Sequence, residues 1–195
     1  MSADAKTLAV YDARSPDYAT MVSAWETPGL DSFIAVLPGA AHVLDLGCGP
    51  GLDARRMMDA GLTVDAVDAS AAMVATAKKA GVTARQATFD DIAGMDLYDG
   101  IWANFSLLHA PRAAFPFHLT ALKQAIRPGG LLHIGMKLGE GEGRDRLGRF
   151  YSYYSEDDLV RHLTMTGFTP AARFKGTGKG LDGTKGPWIW VQAHG

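Results

Sequence analysis

From Val43 onward, short apolar runs alternate with segments whose apolar residues recur at helical spacing. "VLDL" (43–46), closed by glycines, predicts a first strand, and "LDARRMMDAG" a helix ended by Gly61. "TVDAVD" (63–68) reads as a second strand; 70–81 reads as a helix with Ser70 as its N-cap and Gly81 as its stop. "VTARQAT" (82–88) and "YDGIWAN" (98–104) predict two further strands. Over 112–127, Leu119, Leu122 and Ile126 keep helical spacing until "RPGG" ends it, and "LLHIGMK" (131–137) follows as a fifth strand.

The pattern then changes. Ser155 with Asp158 resembles a capping box opening a helix over 156–166, stopped at Gly167. "FTPAARF" and "WIWVQA" flank a glycine-rich connection too short for a crossover helix, so they should pair antiparallel. Five β/α alternations followed by a hairpin describe an α/β fold, a mainly parallel, doubly wound sheet with an antiparallel edge. Residues 1–37 carry helical segments, expected to lie across the carboxyl edge of that sheet.

At 195 residues the chain suits a single domain over 1–195, with 47% apolar and 21% charged residues. The formal net charge of -2 gives no global basic field and argues against nucleic acid as partner. No apolar run has membrane-spanning length, and the opening residues hold no signal-peptide core, which reads as a cytoplasmic protein without a membrane partner. Cys48, the single cysteine, rules out an internal disulfide, and the histidines show no metal-ligand spacing, so no metal site is expected. Monomer and homodimer both remain open.

The chemistry concentrates in "VLDLGCGPG". Ligands of open α/β sheets bind outside the strand carboxyl ends, so the loop after the first strand is the place to look. Gly47, Gly49 and Gly51 allow close backbone approach, and the following helix start offers free N–H groups. Asp68, ending the second strand, is placed to accept from two ribose hydroxyls. The spacing is G-x-G-x-G rather than the dinucleotide G-x-G-x-x-G, with Leu52 where its last glycine would stand, and no G-K-[ST] follows. Asp45, two residues before Gly47, would repel a pyrophosphate and suit a ligand bearing an amino group.

"VLDLGCGPG" followed by "VDAVDAS" resembles the first two motifs of class I S-adenosylmethionine-dependent methyltransferases. The resemblance continues through "YDGIWANFSLLHAP" and "LKQAIRPGGLLHIGMK" and covers residues 11 to 195. It implies a Rossmann-like seven-stranded sheet of order 3-2-1-4-5-7-6 with the last strand antiparallel. It also implies S-adenosyl-L-methionine as cofactor and S-adenosyl-L-homocysteine as product. By the same resemblance the 47–51 backbone, Cys48 included, approaches the methionine portion, and Asp45 holds its ammonium. Asp68 takes the ribose, and Ala69, Ser70 and Met73 stand beside the adenine. Asn104, Phe105 and Ser106 line the sulfonium, and Tyr11 and Arg14 belong to an element that closes over the cofactor. Members often carry an Asp two positions after the Gln of the third strand. Here Thr88 takes that position, with Asp90 and Asp91 displaced beyond it, so either Thr88 and the Phe89 backbone make the adenine contacts, the favoured reading, or Asp90 reaches back.

Two further features bear on the acceptor. His109, after the fourth strand, is either a general base or substrate contact, or a structural hydrogen-bonding group at a helix start. "GEGEGRDRLGRFYSYYS" (139–155) follows the fifth strand, and its Arg144, Arg149, Tyr153 and Tyr154 suggest an anionic-acceptor pocket. A solvated loop laced with weak ion pairs is the competing reading of that segment. Methyltransferases of tRNA wobble uridines can carry similar residues here, but this chain lacks a broad basic surface. The expectation is methyl transfer to a small-molecule substrate, with His109 and then Tyr153 as the general base if one is needed. A tRNA-modifying methyltransferase, an NAD(P)-dependent oxidoreductase and a non-catalytic cofactor-binding module are the alternatives.

Overall fold

The computed structural model describes residues 3–195. One sheet of seven strands organises it, built from β1 (His42–Leu46), β2 (Thr63–Asp68), β3 (Ala84–Gln86), β4 (Tyr98–Asn104), β5 (Ile126–Lys137), β8 (Thr169–Lys179) and β9 (Lys185–His194). Their order is β3-β2-β1-β4-β5-β9-β8. The first five strands run parallel, and β9 is antiparallel to both β5 and β8. This is the expected Rossmann-like order once a small separate hairpin, β6 (Glu142–Arg144) with β7 (Phe150–Ser152), is set aside.

The crossover helices are α3 (Leu52–Asp59), α4 (Ala71–Lys79) and α5 (Phe115–Ala125), and α6 (Glu156–Met165) precedes the β8–β9 hairpin. Local signals set their starts: the Ser70 side chain accepts from the Met73 amide and the Ser155 side chain from the Asp158 amide. Strand alternation divides the core between two faces. Leu44, Ile101 and Ala103 point to the α5–α6 side, while Val43 and Trp102 point to the other, where Met57 of α3 meets them. Asp45 shares the Val43 face by the same alternation, which turns a carboxylate toward α3.

Some boundaries differ from expectation. β3 is confined to 84–86 because Thr88 and Asp91 close a short turn of 3-10 helix, both the Thr88 amide and its Oγ1 donating to Asp91 Oδ2. The "RPGG" segment falls inside β5, where the pairing with β4 shifts register between Tyr98 and Gly100. The segment 139–155, for which the sequence pattern predicts no strand, contains the β6–β7 hairpin.

The N-terminal helices separate in role. α1 (Ala5–Ser23), kinked at Arg14 ahead of Pro16, crosses the carboxyl edge of the sheet. α2 (Leu30–Val36) does not: its Leu30 and Phe33 are fully buried against the sheet face with Trp102 and Met57. Two apolar residues three apart give α2 a stripe that the sheet face covers. The expected cap over 1–37 therefore reduces to α1, and its residues 1 and 2 lie outside the described residues.

Candidate active site

The floor of the site is the turn from β1 into α3. Gly47 and Cys48 both donate their amides to the Val67 carbonyl, at 2.8 and 2.9 Å, tying the loop to the end of β2. Gly47 has φ +81°, and a Cβ there would stand 2.4 Å from Ser106 Cβ, so only glycine fits. Asp45 is 2% exposed, and its Oδ2 has no hydrogen-bond partner among the described residues. Burial, reinforced by the Asp53 and Asp68 carboxylates, pushes the Asp45 carboxyl well above its ordinary pKa. Asp53 accepts from Thr27 Oγ1 at 2.7 Å and Trp102 Nε1 at 3.0 Å. Asp68 spans the loop, one oxygen accepting from the Gly49 amide at 2.9 Å and the other from the Ser70 amide at 2.8 Å.

Two neighbouring spaces that share lining residues open above this floor. A narrow compartment of about 90 Å³ is lined by Asp68, Ala69, Met73, Thr88 and Phe89 and roofed by α1. A cleft of about 780 Å³ lies toward β5 and the β8–β9 hairpin. Tyr11, Tyr18, Gly47, Asn104, Phe105 and His109 border both spaces and form the wall between them.

Helix α1 is fastened over the narrow compartment by the β6–β7 hairpin. Arg144 donates to both Asp4 oxygens at 2.9 and 2.8 Å, and the Phe150 amide donates to Thr7 Oγ1 at 2.8 Å. Arg149, 2% exposed, is paired with Asp145 at 2.7 Å and donates through Nη1 to the Tyr11 hydroxyl at 2.9 Å. That hydroxyl lies 2.9 Å from His109 Nε2. Burial lowers the His109 pKa to about 4, so the ring is neutral at ordinary pH.

A family model described as a methyltransferase domain matches residues 43–130, from β1 into β5. Two curated relatives match at the sequence level. One, a trans-aconitate 2-methyltransferase of Delftia acidovorans, is 36% identical over 143 residues, 64% of this chain and 51% of the relative. The other, a malonyl-[acyl-carrier protein] O-methyltransferase of Enterobacter lignolyticus, is 33% identical over 113 residues, 52% of this chain and 42% of the relative. In its domain match, its curated relatives and its fold the chain is similar to S-adenosylmethionine-dependent methyltransferases. It spans about half the length of the curated relatives it matches. The fold is shared with a crystal structure of the Burkholderia thailandensis 1,6-didemethyltoxoflavin-N1-methyltransferase, at TM-score 0.72 and 21% identity over 100% of this chain and 91% of that one.

The cofactor of this methyltransferase family is S-adenosylmethionine, and the residues present fit it. The unpartnered Asp45 Oδ2 offers an acceptor to an ammonium group. Each Asp68 oxygen holds one backbone N–H and keeps a lone pair for a ribose hydroxyl. Of the expected cofactor residues, Tyr11, Asp45, Gly47, Cys48, Gly49, Asp68, Ala69, Met73, Thr88, Phe89, Asn104, Phe105 and Ser106 all border one or both spaces.

Three do not. Arg14 turns to solvent and pairs with Asp17 at 2.6 Å. Ser70 is spent on capping α4 and on Asp12 Oδ1, 2.6 Å from its hydroxyl. Gly51 serves helix packing, since a Cβ there would meet Ala77 Cβ at 2.9 Å.

The expected anion quartet does not assemble either. Arg144 is bound to Asp4, and Arg149 reaches the cleft already neutralised by Asp145. Tyr154 is fully buried against Phe115, with the Arg112 guanidinium over its ring. Tyr153 borders neither space. The cleft instead presents Asp53, Lys137, Tyr151 and Trp188, and Tyr18 stands on the shared wall. Asp53 had a visible signal: it sits in the first turn of a helix that opens directly behind the glycine loop.

Proposed function

We propose that this chain transfers a methyl group from S-adenosylmethionine to a small, anionic acceptor held in the large cleft, releasing S-adenosylhomocysteine. The observation that carries the reading is the unpartnered oxygen of Asp45, a buried carboxylate on a residue that borders the large cleft. A pyrophosphate would be repelled there, which disfavours a nicotinamide cofactor. The names of the two curated relatives also support methyl transfer.

When bound, S-adenosylmethionine supplies an electrophilic methyl group, so the protein's share of the work is orientation and exclusion of water. In this reading α1 is the cap that closes the compartment, and Asn104, Phe105 and the Tyr11–His109 pair orient the acceptor on the shared wall. A nucleophilic atom that carries no proton at working pH needs none removed, which agrees with a neutral His109 engaged on both ring nitrogens.

The test is thermal unfolding with S-adenosylhomocysteine, NAD, NADP or no ligand. At about 100 times its dissociation constant a native-state ligand adds roughly 2.7 kcal/mol, several degrees in midpoint. A rise with S-adenosylhomocysteine alone, abolished in Asp68→Ala, is expected. A rise with NAD or NADP alone overturns the reading.

A further inference from the structure

The cations lining the large cleft divide by what they are bound to. Its arginines are all paired: Arg55 with Asp59, Arg56 with Asp31 and Arg149 with Asp145. Its lysines, Lys137, Lys179 and Lys185, make no ion pair with any described residue. Lys137 ends β5 on the inner wall, half-buried, with Nζ 4.0 Å from the centre of the Tyr151 ring. Burial and the nearby Arg149 lower its pKa, and the Asp182 and Asp145 carboxylates, neither of them in ion-pair contact with it, only partly offset that. Lys179 and Lys185 face each other across the last rung of the β8–β9 ladder. Like charges directly opposite repel, a cost that an anion between them would relieve.

The walls beside Lys137 are aromatic. Trp188 is its register partner on β9, and Phe105 meets the Trp188 ring edge-on, with centroids 5.9 Å apart. Tyr151 closes the other side. Flat, apolar walls around one unpaired cation suit a planar body with a charged end.

Resting on the methyltransferase reading above, we propose that Lys137 holds a carboxylate handle of the acceptor. The acceptor's planar, unsaturated body lies against Phe105, Tyr151 and Trp188, and Lys179 and Lys185 draw it in. The handle is not the atom methylated. An ammonium on the nucleophile would stabilise the charge that disappears as the methyl group arrives, holding the ground state down more than the transition state. The nucleophile therefore belongs to the other end of the acceptor, at the wall formed by Asn104, Phe105 and His109.

The experiment uses the full chain with and without saturating S-adenosylhomocysteine. Benzoate and trans-cinnamate are titrated by calorimetry against benzamide and cinnamamide. Each acid is expected to bind at least tenfold tighter than its amide. Lys137→Met should bring that ratio within twofold while leaving S-adenosylhomocysteine affinity within twofold, and Lys137→Arg should restore most of the preference. The proposal is overturned if wild-type protein binds acids and amides alike, if no acid binds, or if Lys137→Met keeps the ratio. Failure of S-adenosylhomocysteine to bind the wild type would sink the methyltransferase reading instead, and the acid-to-amide ratio without it would still judge the lysine.

Discussion

The Tyr11 hydroxyl donates to His109 Nε2 across 2.9 Å, and the geometry around both groups fixes the direction of that bond. A carbonyl can only accept, so the Phe150 oxygen, 2.6 Å from Nδ1, places the ring proton on Nδ1. Nε2 is then the acceptor, and Arg149, which can only donate, fills the other side of the hydroxyl. The run from Arg149 through Tyr11 and His109 to Phe150 has every donor matched to an acceptor, and it clasps α1 to the β6–β7 hairpin.

Protonating His109 breaks that run, which gives a pH signature. The folded pKa of about 4 lies below the unfolded value of roughly 6.5. The unfolded chain thus binds more protons between these values, and the stability contributed by neutral His109 is full above pH 6.5 and lost as pH falls toward 4. The thermal midpoint of His109→Asn, which keeps a donor for Phe150, should fall less than that of the wild type over this interval. Equal slopes would show that His109 does not carry the effect.

Asp45 predicts the opposite pairing of stability and binding. Its folded pKa is raised, so the ionised form is a burden above that pKa and protonation relieves it. Asp45→Asn should leave the ligand-free protein at least as stable at pH 7. Its S-adenosylhomocysteine affinity should drop by roughly 10- to 100-fold, the worth of a hydrogen bond to a charged group. Wild-type affinity should also weaken as pH falls and Asp45 takes up its proton, with a slope about one proton steeper than in the variant. Calorimetry at several pH values reads both effects.

What was legible in the sequence was what neighbouring residues decide. The Ser70 and Ser155 caps, the alternation of Val43 with Leu44, and the glycine loop act within a few positions of themselves, and the structure places them accordingly. The three-residue strands β6 and β7 carry no such pattern, and Thr7, far away in the chain, supplies the bond that holds Phe150. The arginines of 139–155 looked available because their partners were out of view: Asp4, which binds Arg144, is 140 residues away. Asp145 was within view, four residues before Arg149, yet spacing alone does not say that the pair is buried. The cleft's inner cation hides in an ordinary strand end, "MK", because an unpaired lysine is defined by neighbours it lacks.

The Asp4–Arg144 pair predicts a kinetic effect out of proportion to its energy. Arg144 is substantially exposed, so solvent screening should leave the pair little weight in stability. It nevertheless clips the first turn of α1 over the narrow compartment. Arg144→Ala should shift the unfolding midpoint only slightly while raising the S-adenosylhomocysteine dissociation rate several-fold, measured by stopped-flow displacement. An unchanged dissociation rate would mean that α1 is not the gate.

Gly47 and Gly61 separate the effect of backbone strain from that of contact. Both have strongly positive φ, +81° and +88°, so alanine at either should cost about 1–2 kcal/mol from the left-handed backbone alone. A Cβ at Gly61 meets nothing within 4 Å, whereas at Gly47 it would stand 2.4 Å from Ser106 Cβ. Gly61→Ala should therefore lower the urea midpoint modestly and leave S-adenosylhomocysteine affinity unchanged. Gly47→Ala must push apart the loop after β1 and the segment after β4, the two pieces of chain that frame the shared wall. It should lose clearly more stability than Gly61→Ala, and more than tenfold in S-adenosylhomocysteine affinity. If the two variants lose equal stability and both keep their affinity, strain alone explains Gly47 and the close approach of Ser106 has no bearing on the site.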